Sequence, residues 1–317
     1  MNDASVKKLL QDIKSNIKKK IIGKDAVIDE ILICLLCGGH ALIEDVPGLG
    51  KTTLISALAS SISCSFQRMQ FTPDILPSDI TGFHMFQPQT GEQPFFPGAV
   101  MNNILLADEI NRTGPKTQAA LLQAMQEGEV TVDGETFELP APFLVFATQN
   151  PVEMTGTYPL PEAQLDRFLL RISMGYPEKD DEIEILEANQ DTGTVEALSA
   201  VCSLRDALEL QKALNGVKCV RRIKNYIVEI ARETRKHKEI TLGLSPRGSI
   251  ALMRAAMGRA MLSGRDYVLP EDVQQMAPAV ISHRLMIDTQ AYLKNTTAAG
   301  IVASLLKRIP VPGVSRA

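Results

Sequence analysis

ALIEDVPGLGKTTLISALASSI, residues 41 to 62, decides how the rest of the chain is read. It opens on a short apolar run (Ala41, Leu42, Ile43), tightens through a Pro/Gly segment and resumes as an apolar-periodic helix. Strand, glycine-containing loop and helix, in that order, are the setting in which the pattern GxxxxGK[ST] cradles phosphate. Gly48 and Gly50 keep side chains away, so successive backbone N–H groups can wrap an anion. Lys51 offers a point charge to the β- and γ-phosphates, and the Thr52 hydroxyl can ligate Mg²⁺. The helix that begins there turns the positive end of its dipole to the anion. One position departs from the pattern. Asp45 stands at its first glycine; Asp tolerates unusual backbone angles but brings negative charge near a polyphosphate.

A chain of 317 residues has room for two domains and a sizeable core. Apolar residues make up 45% and charged residues 22%, the balance of a globular protein. Trp is absent and aromatics are only 5%, which argues against a surface built on stacking bases or sugars. A net charge of −4 gives no overall attraction to nucleic acid or anionic membrane. With no apolar segment long enough to span a bilayer and no hydrophobic signal core, the expectation is a cytoplasmic protein. Five cysteines, an odd number, fit reduced thiols. Cys34 and Cys37 form a CxxC with His40 nearby. They sit in an apolar run at helical spacing with no second pair, so buried thiols are expected rather than a metal site.

Residues 3 to 20 place Val6, Leu9, Leu10, Ile13 and Ile17 on one helical face, read as packing on the domain rather than on a membrane. Beyond the loop helix, SFQRMQF reads as a strand. The stretch from 83 to 100 reads as a hairpin-like insertion with Thr90-Gly91 at its tip, and VTVDGETFEL as a hairpin through Asp133-Gly134. ILLADEIN and PFLVFATQNP are buried strands ending in polar residues. Apolar strands alternating with helices predict an α/β fold, a parallel sheet covered on both faces. Near MGYPEKDD the pattern changes to helices at about 180–190, 203–214, 219–236, 246–262, 270–284 and 297–308. The expected domains are therefore 1–177 and 178–317.

Hydrolysis needs a metal held and a water activated. Asp108, ending an apolar strand, can hold Mg²⁺ directly or through water, and Glu109 beside it can polarise the attacking water. Asn150, at the end of the next buried strand, either orients that water or simply starts a turn before Pro151.

EDVPGLGKT, QFTPDILPSDITG, ILLADEINR, PKTQAALLQAMQEGEVTVDG, FATQNPVEMTGTYPLPEAQLDRFLLR and SPRGSIALMRAAMGRA together resemble the MoxR family of AAA+ ATPases, over about residues 20 to 290. The resemblance implies a Rossmann-like αβα AAA+ P-loop ATPase core with a C-terminal all-helical lid, ATP and Mg²⁺ as ligands, and a homo-oligomeric, usually hexameric ring. It assigns Asp45, Val46, Pro47, Gly48, Leu49, Gly50, Lys51, Thr52 and Thr53 to the Walker A loop, and Asp108 and Glu109 to the Walker B pair. Asn150 becomes the first sensor and Arg247, in LSPRG, the second; Ile22 and Gly23 fall where the family contacts adenine. Arg167 occupies the place of an arginine offered to the neighbouring subunit's nucleotide, with Arg171 and Arg112 as competitors.

By the same resemblance the protein is a chaperone-like remodelling or maturation factor, acting on client proteins and paired with a protein carrying a von Willebrand factor A domain. Magnesium-chelatase ATPase subunits share the insertion and hairpin but fit the longer segments less well. A nucleic-acid motor is disfavoured because the hairpin carries Asp133, Glu135 and Glu138 and no basic residue, the wrong sign for phosphate. A small-molecule kinase has no need of a water-activating glutamate. Phe95 and Phe96, beside Pro94 and Pro97, are either an exposed apolar pair suited to gripping polypeptide or local core.

Overall fold

The buried apolar runs pair into a parallel sheet whose two faces each face a different core. The computed structural model describes residues 3–46, 48–150, 156–188, 190 and 198–313. The chain enters through α1 (Asp3–Lys18), with Val6, Leu10, Ile13 and Ile17 buried as the periodicity predicts, and α2 (Asp25–Cys37). β1 (His40–Glu44) leads into α3 (Lys51–Ile62), β2 (Phe66–Gln70), α4 (Pro77–Thr81), β3 (Gly82–His84), β4 (Phe95–Pro97) and β5 (Ile104–Asp108). α5 (Pro115–Glu127), β6 (Glu129–Val132), β7 (Glu135–Glu138), β8 (Leu144–Gln149), α6 (Glu162–Leu165) and β9 (Phe168–Ile172) follow.

Five strands pair in the order β2-β5-β8-β1-β9, every neighbour parallel. Alternate residues serve opposite faces. Ala41, Ile43, Leu106 and Phe146 join one core with α1, α2 and α3, whereas Leu42, Leu105, Val145 and Ala147 join the other with Leu121 and Leu122 of α5. Burial on both faces is why these strands read as unbroken apolar runs.

The insertion and the Asp133-Gly134 hairpin form as predicted, β3 with β4 and β6 with β7, and they dock on each other. Phe95 stacks on Phe137 with ring centroids 3.9 Å apart, and Phe83 stacks on Phe96 at 5.6 Å. His84 lies between Asp133 (Nδ1 to Oδ2, 3.2 Å) and Glu135 (Nε2 to Oε2, 3.6 Å). The stacking leaves Phe95 and Phe96 half-buried, which favours local core of the two alternatives read from sequence. Within the insertion, Phe83, Met85 and Phe86 are exposed to solvent.

A helical region continues the chain: α7 (Lys179–Ala188), α8 (Leu204–Leu214), α9 (Arg221–Lys236), β10 (Ile240–Leu242), α10 (Pro246–Leu262), α11 (Pro270–Ile281), β11 (Met286–Ile287), α12 (Thr289–Leu293) and α13 (Ala298–Arg308). To the helices read from sequence it adds α12 and a two-stranded ribbon, Ile240 opposite Ile287 and Leu242 opposite Met286. Strands of two or three residues leave no period to detect. Among the described residues, no helix is long and apolar enough to cross a membrane.

α2 packs against α10 at Gly258, where a Cβ would lie 3.1 Å from the Ile33 side chain. Cys34 and Cys37 are buried free thiols of this face, and burial pushes Cys37 up to about 12. His40 accepts from the Val145 N–H at Nδ1 and bonds the Met125 carbonyl through Nε2, each at 3.0 Å, and burial lowers its pKa to about 4. Both ring nitrogens are thus engaged within the fold. Beside this joint, Asp29 takes Lys14 at 2.5 Å and Arg259 of α10 at 2.7 Å.

Glu30, next in α2, is pushed up to about 7 by burial first and Asp29 second, against the pull of Arg259. A folded-state pKa above the unfolded value means that folding retains a proton. Its contribution is fully present below about pH 4.5 and is lost as pH rises through 7. Glu30→Gln should therefore raise stability at pH 8 by up to about 3 kcal/mol and change little at pH 4. Thermal melts across that range check it; a parental pH slope in the variant contradicts the assignment.

Candidate active site

At the carboxyl end of β1 the backbone turns through Gly48 and Gly50, both left-handed at φ +87° and +83°. A Cβ at either would meet nothing within 4 Å, so the concavity in front of α3 is open. Glycine is needed here for backbone angle rather than for space. Lys51 opens α3 and donates to the Asp45 carbonyl at 2.9 Å. Burial lowers the Lys51 pKa, while Asp45, Asp108 and Glu109 act to raise it. Asp45 itself is buried, and its carboxylate Oδ2 accepts from Ser173 Oγ (3.2 Å), the Met174 N–H (2.5 Å) and the Gly175 N–H (2.9 Å). The charge expected to face phosphate is turned toward the far end of β9.

β5 delivers Asp108 and Glu109 to the same edge. Asp108 is buried, and Arg68 Nε reaches its Oδ2 at 2.6 Å. Glu109 adopts φ 57° and ψ 50°, a left-handed conformation rare outside glycine that persists only where the surroundings hold it. Its N–H donates to Thr148 Oγ1 at 2.9 Å, and the same hydroxyl donates to Asp108 Oδ1 at 3.2 Å. Its carboxylate accepts from Gln70 Nε2 at 2.7 Å and pairs with Arg112 Nε at 3.1 Å.

One cleft gathers Asp45, Gly48, Lys51, Thr52, Asp108, Glu109 and Asn150 of the predicted set. Arg68, Gln70 and Thr148 also line it, and sequence reasoning missed them. The available signal was polar residues closing strands beside the predicted ones. Val46, Leu49, Gly50 and Thr53 belong to the loop or the first turn of α3 without lining the cleft, and Pro47 lies outside the described residues. Ile22 and Gly23 sit apart, with Gly23 against Asp181 of α7. Arg247 is exposed in the first turn of α10. Arg167 is turned inward, donating to the Leu122 carbonyl. Its competitors hold ion pairs within the chain, Arg171 with Glu44 at 3.3 Å and Arg112 with Glu109.

The donor set suits a divalent cation with a polyphosphate. A threonine hydroxyl and a carboxylate are hard oxygen ligands, and the loop supplies backbone N–H groups and one ammonium for the anion.

Residues 40–170 match the ATPase family associated with various cellular activities (AAA), and residues 232–304 match an AAA lid domain. The chain is 49% identical over 304 residues to the protein YeaC of Bacillus subtilis, covering 96% of this chain and 95% of that one. It is 38% identical to the chaperone MoxR1 of Mycobacterium tuberculosis, covering 94% of this chain and 81% of that one. A crystal structure of a candidate ATPase from Cytophaga hutchinsonii superposes with a TM-score of 0.91 at 35% identity, covering 98% and 96% of the two chains.

Arg68→Met leaves the buried Asp108 carboxylate without its ion pair. Because the guanidinium is half exposed, the loss should be moderate, about 1–2 kcal/mol. Asp108→Asn in the same chain should recover part of it. Denaturant titration of the four-member cycle measures the coupling, and additive effects would dissolve the pair.

Proposed function

Because the chain belongs to the MoxR family of AAA+ ATPases, we propose that it hydrolyses ATP with Mg²⁺ to remodel or mature partner proteins. The observation that supports this best is the meeting of Lys51, Thr52, Asp108, Glu109 and Asn150 in one cleft at the carboxyl ends of β1, β5 and β8. Open parallel sheets bind ligands at that edge. In this reading Gly48, Gly50 and Lys51 hold the phosphates, and Thr52 and Asp108 hold the metal, which supplies charge neutralisation when bound. Glu109 takes a proton from the attacking water once released from Gln70 and Arg112, and Asn150 orients that water.

Residues 1–177 form the ATPase domain and 178–317 the lid in this proposal, with Arg247 closing on the nucleotide from the lid and Ile22 and Gly23 bordering the base. Arg167 serves the neighbouring subunit of a ring, which requires it to leave the Leu122 carbonyl on assembly. A finger supplied in this way contributes roughly 10³–10⁵ in rate.

The likeness to MoxR1 and the two docked hairpins support the chaperone role in this reading. They present Phe83, Met85 and Phe86 above an acidic turn, a surface suited to polypeptide and not to nucleic-acid phosphate.

Lys51→Ala should abolish ATP binding, whereas Glu109→Gln should keep ATP bound and slow turnover by roughly 10²–10⁴. Turnover per subunit should climb with protein concentration, and Arg167→Ala should flatten the climb. Titration calorimetry and steady-state ATPase assays read these effects. Parental turnover in Glu109→Gln removes the base assignment, and concentration-independent turnover removes the ring.

The second measurement is ATPase rate at about 0.15 M salt, where weak phosphate attraction is screened. Unfolded polypeptide or a von Willebrand factor A domain partner should change the rate, and Phe83→Ala with Phe86→Ala should remove the response. Stimulation by DNA instead would favour a nucleic-acid motor.

A further inference from the structure

Phosphate loops of this pattern carry glycine where this chain carries Asp45. Asp45 lines the cleft, yet its carboxylate is bonded within the chain: Oδ2 accepts from Ser173 Oγ, the Met174 N–H and the Gly175 N–H, and Oδ1 from the Val46 N–H at 3.3 Å. Ser173, Met174 and Gly175 lie directly beyond β9, where the chain crosses to α7. Two successive backbone N–H groups converging on one oxygen make a small anion site, and Asp45 is its resident anion. Charged acceptors make such bonds about twice as strong as neutral ones.

The same crossing is held from its other side. Lys24 Nζ donates to the carbonyls of Gly175 (3.1 Å) and Tyr176 (2.6 Å). Gly23, where a Cβ would lie 2.2 Å from Asp181 Oδ2, lets the head of α7 approach. Toward the cleft, Lys51 donates to the carbonyl of Asp45 itself. A single residue thus connects the phosphate-facing lysine, through its main chain, to the domain crossing, through its side chain.

We propose that Asp45 is a positioning residue that ties the phosphate loop to Ser173, Met174 and Gly175, so that filling the loop with nucleotide phosphate sets the orientation of the helical region. This rests on the nucleotide reading of the cleft. A glycine at 45 would leave the backbone cradle intact and cut the tie. A carboxylate serving phosphate or metal would instead turn its better-bonded oxygen to the cleft, whereas Oδ2 spends three hydrogen bonds on Ser173, Met174 and Gly175.

Amide hydrogen exchange of the full chain, with and without a non-hydrolysable Mg²⁺–ATP analogue, tests it. In the parent, nucleotide should slow exchange both in the loop and across residues 179–188 and 204–214. In Asp45→Gly the loop should still be protected, while the protection passed to the helical segments should fall about tenfold. Asp45→Asn, which keeps an acceptor oxygen, should restore part of it, as should added formate filling the vacated anion site. A merely structural role would lower protection at 173–175 equally with and without nucleotide and leave the transfer intact, which would overturn the proposal. Should Asp45→Gly fail to fold, Ser173→Ala removes one of the three donors and must show a smaller loss of transfer in the same direction. Loss of nucleotide binding in Asp45→Asn would move the residue into the phosphate cradle and also overturn it. Failure of the parent to bind the analogue overturns the nucleotide reading itself, and is seen before any variant is made.

Discussion

Everything at the cleft depends on the register between β1 and its inner neighbour β8, Ala41 opposite Phe146 through Glu44 opposite Gln149. Side chains in a strand alternate with period two, so a slip of one residue would exchange the two cores. On the other side of β8, the register with β5, Ile104 opposite Leu144 through Ala107 opposite Ala147, sets Thr148 against Asp108 and Glu109, which it bridges through one hydroxyl. The same ladder continues from β5 to β2, where Gln70 stands opposite Asp108. Packing of Ile43, Leu106 and Phe146 on one face and Leu42, Leu105 and Val145 on the other is therefore what aligns the polar ends. The chemistry sits at the strand ends because the apolar alternation leaves it nowhere else.

The cleft also neutralises itself. Asp108 and Glu109, adjacent in sequence at a buried strand end, would repel each other in a medium of low dielectric. Arg68, Gln70 and Arg112 each engage one of them, and Lys51 stands within their field. Breaking a buried pair from one side leaves an uncompensated charge, which is costly. The two cations and the amide thus hold the acids in place, Arg68 and Arg112 doing so from partly exposed positions.

How much of this was legible follows from the kind of signal each residue carries. The strand and helix that flank the glycine loop, the strand ending at Asp108, and the two hairpins announce themselves by local pattern, and they form as read. Arg68 and Gln70 do not, because β2 is a half-exposed edge strand whose polar residues look like ordinary solvent-facing positions until topology sets it beside β5. Thr148 is hidden for the opposite reason, as one hydroxyl in an apolar run. Asp45 was visible as an oddity, but its partners lie 128 to 130 residues away in sequence. Phe95 and Phe96 showed composition but not partner: the register of β3 with β4 sets Phe83 against Phe96, and the docking of the hairpins sets Phe137 against Phe95. Arg167 is hidden in the same way, since its partner within the chain, the Leu122 carbonyl, lies 45 residues away.

β9 is the other edge of the sheet, and an unpaired edge must be covered. Here the helical region covers it. Arg284 is buried, with Nε on Asp166 Oδ1 at 2.6 Å, Nη2 on the Phe168 carbonyl at 2.6 Å and Nη1 on the Leu169 carbonyl at 3.2 Å. Neighbouring His283 reaches the Phe168 carbonyl at 3.1 Å, its pKa driven well below the usual range by burial and by Arg284. These contacts grip the amino end of β9, while Asp45 grips the segment leaving its carboxyl end. The helical region is thereby fastened to the core along one strand, and the two fastenings differ in kind. The Arg284 end is a dense set of bonds to fixed backbone carbonyls, whereas the Asp45 end runs through a loop built on two left-handed glycines. One edge strand is thus held at its amino end by the helical region and at its carboxyl exit by the residue that follows β1.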